Sequence, residues 1–410
     1  MAKSYSLSGI SILAADSFIE KSGISIQAGN IGQIDGKEKL DFNFNDKFYL
    51  YPAIINVHDH FRGNYLPKVG LPEGQYYLNW KFWDQDLHDA EVVTEREKIT
   101  IDDLYLLSAY KNLLSGVVTA NDHFPHRINN EYIPKMPLRV IQEYAISHSC
   151  SSFSLNWGES METEHEQAVE KNWPYIVHCE EGFDKETQSG LDNLIKRKCL
   201  DNHTVMIHCI GFSDKDIRET QKAGANVVWC PTSNIFMFNT TCKIHKFLEA
   251  GINVSLGTDA THSGSFNILA ELRFAREIYK KMYGTELDPK EIYNMVTINP
   301  AKAFRVHHKT GSVEEGKLAD LLLVKPRKQN PYEAFLEIQP EDIELLTMAG
   351  EPLLGSPQFR ELFQDRTGDF TEITINKQKK LVKGDPAGLM TRIRKAVGFK
   401  KRLEFMPLDD

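Results

Sequence analysis

The 410-residue sequence lacks a long hydrophobic run, since none approaches the roughly 18 to 20 apolar residues that a membrane helix needs. Its start, MAKSYSLSGISILAADSF, has no sustained apolar core of the kind found in secretory signals. The six cysteines form no CxxC pair, which argues against a disulfide framework in a chain of this length. We therefore expect a cytoplasmic protein with reduced thiols and no membrane partner.

The sequence also lacks an excess of positive charge. A formal net charge of −9 gives phosphate backbones no broad attraction, so we expect no nucleic-acid partner. Hydrophobic residues (41%) and charged residues (26%) occur at ordinary globular levels, which predicts a compact fold without extended disorder. A small-molecule substrate is the expected partner, and a homo-oligomer stays an open alternative.

The hydrophobic patterning changes along the chain. The first 51 residues read as short alternating segments broken by glycine and asparagine, typical of a small antiparallel sheet. After Pro52, apolar strand-like runs alternate with amphipathic helical stretches, as in βαβ units. We predict an α/β fold, a TIM-like (β/α)8 barrel with a small β-sandwich domain formed from both chain ends. The predicted segments are the first part of the sandwich (1–51), the barrel (52–305), the second part of the sandwich (306–355) and a C-terminal extension of unassigned role (356–410).

Eight runs are candidates for the barrel strands: AIINVHDH, GVVTANDH, PLRVIQEYAIS, SFSLNW, PYIVHC, TVMIHC, NVVWCP and NVSLGTD. Helical patterns that end in glycine separate several of them, which is the rhythm of a barrel.

Histidines mark the ends of several predicted strands. His58 and His60 are two residues apart on one strand, so both side chains point to the same face. His178 and His208 each end an apolar run, and the carboxyl ends of barrel strands carry active sites. Strand alternation then turns Cys179 and Cys209 towards the helices, where we expect them to be packing thiols.

An aspartate ends the last predicted strand. Asp259 follows an apolar run, where a buried carboxylate would be costly without a cation. The alternative is that it caps the helix that follows. Because histidines end several other strands in the same way, the combination favours a metal site.

Seven motifs occur in the order typical of one enzyme superfamily. They are YPAIINVHDH for PGxINxHxH, LLSGVVTAND for the GxTT-D segment, VHCEE for HxxE, CPTSN for NPxSN, FLEAGINVSLGTD for LLxAGxxVxLGTD, TINPAKAF for TxNPAxxL and GSVEEGKLADLLLV for GSIExGKxADLVLxD. From residue 6 to about 355 the sequence resembles the amidohydrolase superfamily. Within it, the similarity is to the mononuclear group of cytosine deaminase, S-adenosylhomocysteine deaminase and triazine hydrolase.

The resemblance implies a metal-dependent hydrolase. It implies that His58, His60, His178 and Asp259 bind one divalent ion. Neutral imidazoles with one carboxylate suit Zn²⁺, with Fe²⁺ as the alternative. No lysine ends a plausible fourth strand, where relatives with two metals use a carbamylated lysine, so a single ion is favoured.

Other residues are candidates for acting on water and substrate. The resemblance implies Glu181 and His208 as catalytic residues, and Asp259 could take a proton from water while it binds the ion. We prefer Glu181 to Glu180, which strand alternation points away and which fits a solvated loop.

Four further side chains are candidate substrate contacts. Trp80 and Trp83 belong to an aromatic segment after the first strand, which is either a lid that stacks on a flat substrate or a locally packed helix or dimer contact. His123 and His262 lie near strand ends, as substrate contacts or as structural groups.

Three functions remain open at this stage. The leading hypothesis is hydrolytic deamination or dechlorination of a ring amidine-type carbon in a purine, pyrimidine, triazine or similar heterocycle. The alternative is hydrolysis of an amide or cyclic amide C–N bond. A non-catalytic scaffold relative is the third, and it is disfavoured because such relatives usually lose metal ligands.

Overall fold

The computed structural model describes residues 4–15, 17–35, 41–366 and 369–408. The ends of the predicted outer segments, residues 1–3 and 409–410, lie outside the described residues. Within the described part the chain alternates between strands and helices in its centre, and both of its ends contribute to one further sheet.

The central strands form two parallel sheets. The order β5-β6-β7 makes one sheet, and the order β12-β11-β10-β9-β8 makes the other. The strands are β5 (Ile54–Asp59), β6 (Val117–Asp122), β7 (Arg139–Val140), β8 (Ala145–Ser149), β9 (Tyr175–Cys179), β10 (Thr204–His208), β11 (Asn226–Trp229) and β12 (Val254–Leu256). Within each sheet, strands that follow each other in sequence pair side by side, so the predicted βα alternation and parallel pairing are confirmed.

Helices follow most of these strands. In chain order they are α1 (Trp80–Asp89), α2 (Glu91–Arg96), α3 (Ile101–Leu113), α4 (His126–Asn129), α5 (Met161–Lys171), α6 (Gly190–Lys196), α7 (Asp214–Ala223), α8 (Pro231–Phe238), α9 (Ile244–Glu249), α10 (Ile268–Tyr283), α11 (Pro289–Asn294), α12 (Ile298–Ala303), α13 (Pro331–Leu336), α14 (Arg360–Arg366) and α15 (Pro386–Val397). Local chemistry explains their ends: Gly224 has φ +68° after α7, and Asp288 accepts a hydrogen bond from the Lys290 N–H ahead of Pro289.

The two chain ends meet in a nine-stranded sheet with the order β16-β17-β15-β14-β13-β4-β1-β2-β3. Its strands are β1 (Tyr5–Ala14), β2 (Ser17–Gln27), β3 (Asn30–Ile34), β4 (Phe42–Pro52), β13 (Leu321–Val324), β14 (Ile343–Met348), β15 (Glu351–Gly355), β16 (Phe370–Ile375) and β17 (Gln378–Lys383). The purely antiparallel arrangement predicted for the first segment is wrong at one pairing, because β1 and β4 are parallel. Strands β2 and β3 intervene between them in sequence, and β4 returns to the opposite edge of β1.

The C-terminal segment contributes to this sheet as well. Strand β17 pairs with β15, and β16 pairs with β17. Arg392 on α15 forms an ion pair with Asp103 on α3 at 2.7 Å, so the tail is tied to the central part of the chain.

The prediction of the fourth strand is wrong. The segment SFSLNW (152–157) forms no strand, and the single run predicted as the third strand (137–147) contains β7 and the beginning of β8. Only four residues separate these two strands, so no helical stretch of the sequence marks where one strand ends and the next begins. The Ser152–Trp157 segment instead forms a loop beyond the carboxyl end of β8.

Within the described residues, no helix combines the length and the apolar composition needed to cross a membrane. All six cysteines are buried free thiols, which agrees with the prediction that Cys179 and Cys209 are packing residues.

Candidate active site

The structure brings five residues from separate parts of the sequence into one cluster at the carboxyl ends of the parallel strands. Ligand atoms of His58, His60 and His178 lie within 4.8 Å of one another, and so do those of His58, His208 and Asp259. The Asp259 Oδ1 atom is 3.5 Å from His60 Nε2 and 3.8 Å from His58 Nε2. The geometry is that of a candidate metal site.

Hydrogen bonds orient two of the imidazoles. The Nδ1 atom of His178 is 2.6 Å from the main-chain oxygen of His148, and Nδ1 of His208 is 2.9 Å from Oδ1 of Asn234. Since an oxygen acceptor fixes the proton on Nδ1, the Nε2 lone pair of each ring is left for an ion or a substrate.

The Asp259 carboxylate is held from the opposite side. Its Oδ2 atom accepts hydrogen bonds from Ser233 (2.7 Å) and Ser263 (2.9 Å), and its main-chain N–H donates to the His58 oxygen at 3.0 Å. This main-chain hydrogen bond therefore joins the segment after β12 to strand β5 at the cluster.

The donor set fits a divalent cation. Both ring nitrogens of His58 are fully buried and have no hydrogen-bond partner within the described residues. A buried polar atom without a partner is unfavourable, and an ion coordinated by the ring would remove that cost. Three imidazoles and one carboxylate are also the ligand types that zinc prefers.

Burial sets the charge states of these groups. It lowers the pKa of His58 and His178 well below the usual range, so both rings are neutral. Burial acts to raise the pKa of Asp259, but the neighbouring imidazoles, beginning with His60, and the Ser233 hydrogen bond outweigh it, so this pKa is lowered. Neutral rings and an ionised carboxylate are the metal-binding forms.

Glu181 lies beside the cluster. Its Oε1 atom is 3.5 Å from His208 Nε2, and it lines the same cavity. Burial, followed by the charge of Asp259, raises the pKa of Glu181 well above its usual range, so this side chain can hold a proton at neutral pH.

The expectation that Glu180 is a solvated loop residue is wrong. Its backbone is left-handed (φ 51°) and its side chain is buried, where a carboxylate oxygen accepts a hydrogen bond from the Leu191 N–H at 3.2 Å. Burial raises the pKa of Glu180 to about 8. The turn at the end of β9 thus sends the two glutamates to different sides, with Glu181 in the cavity and Glu180 under the start of α6.

A buried ion pair lies behind the cluster, and sequence reasoning missed it. Lys111 on α3 contacts both carboxylate oxygens of Asp59, at 3.1 and 3.2 Å, and neither side chain is exposed. Asp59 stands between His58 and His60 on β5, so the pair supports the strand that carries two of the imidazoles.

The cavity next to the cluster has a volume of about 330 Å³. Trp80 and Trp83 line it from α1, a helix that is capped by Asn79. This position agrees both with a locally packed helix and with a wall of the substrate cavity. The Trp83 ring lies 5.0 Å from the ring of His262, which also lines the cavity.

Two further aromatic residues of the cavity were not expected from the sequence. His148 on β8 has its ring centroid 4.6 Å from that of Trp80 and 5.3 Å from that of His178. Trp157 lies 4.5 Å from His148 and belongs to the segment misassigned as a strand. His148 lies near the end of a strand like the other site histidines, but the predicted run stopped one residue before it, at Ser147.

His123 follows β6 and packs against the cluster. Its ring centroid is 4.3 Å from that of His178 and 4.9 Å from that of His58. Both of its nitrogens are buried without a hydrogen-bond partner in the described part of the chain. Unlike Trp80, Trp83 and His262, His123 is not among the residues that line the cavity.

Comparisons with known proteins agree with this geometry. Residues 168–360 match the amidohydrolase family. The chain is 27% identical over 336 residues to a 5-methylthioadenosine/S-adenosylhomocysteine deaminase of Pyrococcus abyssi, covering 75% of each chain. It is 25% identical to the deaminase of the same name from Acetivibrio thermocellus, covering 86% of this chain and 94% of the relative.

A solved structure gives the same fold. The atrazine chlorohydrolase of Arthrobacter aurescens TC1, crystallised with zinc, superimposes with a TM-score of 0.74 at 16% identity and covers 96% of this chain and 100% of its own. The resemblance seen in the sequence motifs is confirmed, and the chain carries an amidohydrolase family domain.

Proposed function

We propose that this protein is a metal-dependent hydrolase that deaminates or dechlorinates a ring amidine-type carbon of a heterocycle. The observation that carries the proposal is the convergence of His58, His60, His178 and Asp259 beside a cavity that is lined by His60, His178, Asp259 and Glu181. Among purine, pyrimidine and triazine substrates, the two deaminases named above favour an adenosine-like purine.

The finer architecture belongs to this proposal. Strands β5 to β12 form a closed (β/α)8 barrel, which is supported by the hydrogen bond from the Asp259 N–H to the His58 oxygen across the first and last strands. The parts of the nine-stranded sheet that come from 1–51 and 306–355 belong to the small β-sandwich domain, and 52–305 is the barrel. The extension 356–410 adds β16 and β17 to the edge of this sheet.

One divalent ion is held by His58, His60, His178 and Asp259, with Zn²⁺ preferred over Fe²⁺. When bound, such an ion supplies Lewis acidity that makes water a nucleophile at neutral pH. Strand β8 reads AISHS and offers no lysine that could bridge a second ion, which supports a single one.

Three side chains handle protons and orientation. Water adds to the ring carbon, and the amino group or chloride leaves. Glu181 holds a proton at its carboxyl group, 3.5 Å from His208, and passes it to the leaving group. His208, oriented by Asn234, positions the water or polarises the leaving-group side, and Asp259 accepts the proton that the water loses.

The cavity walls suit a flat ring. Trp80, Trp83 and Trp157 line it, and aromatic faces stack on heterocycles. His262 is a further substrate contact on this wall, and His123, which packs on the imidazoles from behind, is proposed as a support for them. A volume of about 330 Å³ lies at the small end of the range for small-molecule sites and is too small for a macromolecule.

The proposal extends to location and partners. Six free thiols are typical of a reducing compartment, which supports a cytoplasmic location. The partner is a small molecule, and neither nucleic acid nor a membrane is expected to bind.

Metal analysis combined with an ammonia-release screen tests the proposal. Wild-type protein should contain about one zinc ion per chain and release ammonia from a panel of aminopurines and aminopyrimidines. Asp259→Asn should lose both metal and activity, while the matched control Asp84→Asn, on the cavity wall outside the cluster, should keep its metal. An Asp259→Asn variant with full activity would refute the mechanism. Turnover of cyclic amides without ammonia release from the amino heterocycles would favour the alternative hydrolase.

A further inference from the structure

Two arginines line the same cavity as the histidine cluster. Arg62 lies two residues after His60 in the short turn Phe61–Gly63, and Arg96 is the last residue of α2. Both side chains are half-buried. Neither has a place in the proton transfers described above.

Among the described residues, neither guanidinium group forms a hydrogen bond or an ion pair with an acid. Asp84, which lines the same cavity, contacts His88 at 3.4 Å, and Glu95 contacts Lys401 at 3.0 Å. Glu97, next to Arg96 in the chain, is exposed.

The two cations line one cavity, and their positive charges oppose each other. Burial lowers the pKa of Arg96, and the charge of Arg62 lowers it further, against the smaller opposing effect of Glu97. Two like charges at a partly desolvated wall are unfavourable until an anion neutralises them. Planar guanidinium groups are the side chains best suited to bind a carboxylate or phosphate through paired hydrogen bonds.

The arginines lie on the side of the cavity formed by His262 and Trp83. Gly63, next to Arg62, approaches His262 so closely that a Cβ atom added to it would lie 2.5 Å from the imidazole Nε2. The charge of Arg96 contributes to the lowered pKa of His262, after burial. Aromatic walls and a pair of unneutralised cations therefore belong to one cavity.

We propose, on the basis of the proposed function, that the natural substrate carries an anionic group, a carboxylate or a phosphate, on a substituent of its heterocycle, and that Arg62 and Arg96 pair with it. The volume of about 330 Å³ limits this molecule to about the size of a nucleoside with one compact anionic group.

Calorimetric binding of matched ligands tests this inference without requiring turnover. The probes are purine riboside, its 5′-carboxylate and its 5′-phosphate, at low and physiological salt. In the wild type we expect at least one anionic probe to bind at least about tenfold tighter than the neutral riboside, and the tighter of the two identifies the anion. Equal binding of all three would overturn the inference.

Variants then assign the effect to the arginines. The double variant Arg62→Met/Arg96→Met should reduce the preference to within about twofold, whereas Arg218→Met, an exposed control on α7, should keep it. A preference that survives in the double variant would overturn the inference.

Failure of the anion site and failure of the proposed deaminase function give different experimental results. Ammonia release from a neutral aminopurine riboside, without any preference for anions, would refute the inference and leave the deaminase. A preference for anions without ammonia release from any aminopurine would refute the deaminase and leave the anion site.

Discussion

Replacing Lys111 with methionine would remove a buried positive charge and keep most of the side chain's volume. The lysine ammonium group makes five contacts with oxygen atoms: Asp59 Oδ1 (3.1 Å) and Oδ2 (3.2 Å), Asn64 Oδ1 (2.8 Å), Thr258 Oγ1 (3.2 Å) and the main-chain oxygen of Asp259 (3.1 Å). After the substitution, the buried Asp59 carboxylate would have only neutral hydrogen-bond donors.

The magnitude follows from this burial. Removing one partner of a buried ion pair costs about 3–5 kcal/mol. With an unfolding entropy of about 2.1 cal/mol/K per residue, the 410-residue chain would lose about 4 to 6 °C in Tm. Because Asp59 lies between His58 and His60, zinc affinity should also fall by about 10- to 100-fold.

A double-mutant cycle gives the decisive measurement. Calorimetric Tm and chelator-competition zinc affinity would be compared for Lys111→Met, Asp59→Asn and the double variant, which should recover part of the stability because no charge stays unpaired. Lys135→Met is the control, since its pair with Asp102 is exposed and should contribute little to stability. The reasoning fails if Lys111→Met is as mild as Lys135→Met, or if the two single effects simply add.

Three further predictions concern catalysis and pH. Glu181→Gln should lower kcat by about 10²- to 10⁴-fold, and the matched variant Glu180→Gln should change it by only a few-fold; similar losses would contradict the assignment of the proton to Glu181. Trp157→Leu should raise KM several-fold with little change in kcat, because it removes a stacking surface; a change in kcat alone would speak against that role. Burial raises the pKa of Glu271 from 4.5 to about 7, so the folded protein keeps a proton that the unfolded chain loses. Stability should therefore fall as pH rises between these values, by up to about 3 kcal/mol, and denaturant titrations of Glu271→Gln should lack this slope; an unchanged slope would assign it to other groups.

The residues of the cluster could be found in the sequence because they end strands. His58 and His60 share a face through the two-residue period of β5, and His178, His208 and Asp259 each close an apolar run. The carboxyl ends of parallel strands lie at the same edge of a sheet, so residues that end these strands meet there. Their convergence could therefore be predicted without knowing the loop conformations.

The rest of the site depends on features that periodicity does not carry. His148 was missed because the predicted run stopped one residue before it, at Ser147, and Trp157 because an apolar loop resembles a strand. A lysine in a helix such as Lys111 reads as solvent-exposed until the location of Asp59 is known. Glu180 points away from the cavity as strand alternation predicts, but it was misjudged as solvated because the alternation does not show that the start of α6 covers it.

The hydrogen bond between Asp259 and His58 makes the order of events during folding matter. The first parallel strand supplies two imidazoles early in synthesis, while the carboxylate arrives only with the eighth. In the proposed site, a truncated or partly folded chain that lacks β12 would have an incomplete set of ligands, so tight zinc uptake would report that the last parallel strand is in place. Zinc binding and completion of the chain would in this way be coupled, because the ion would join residues at the first and the last parallel strands.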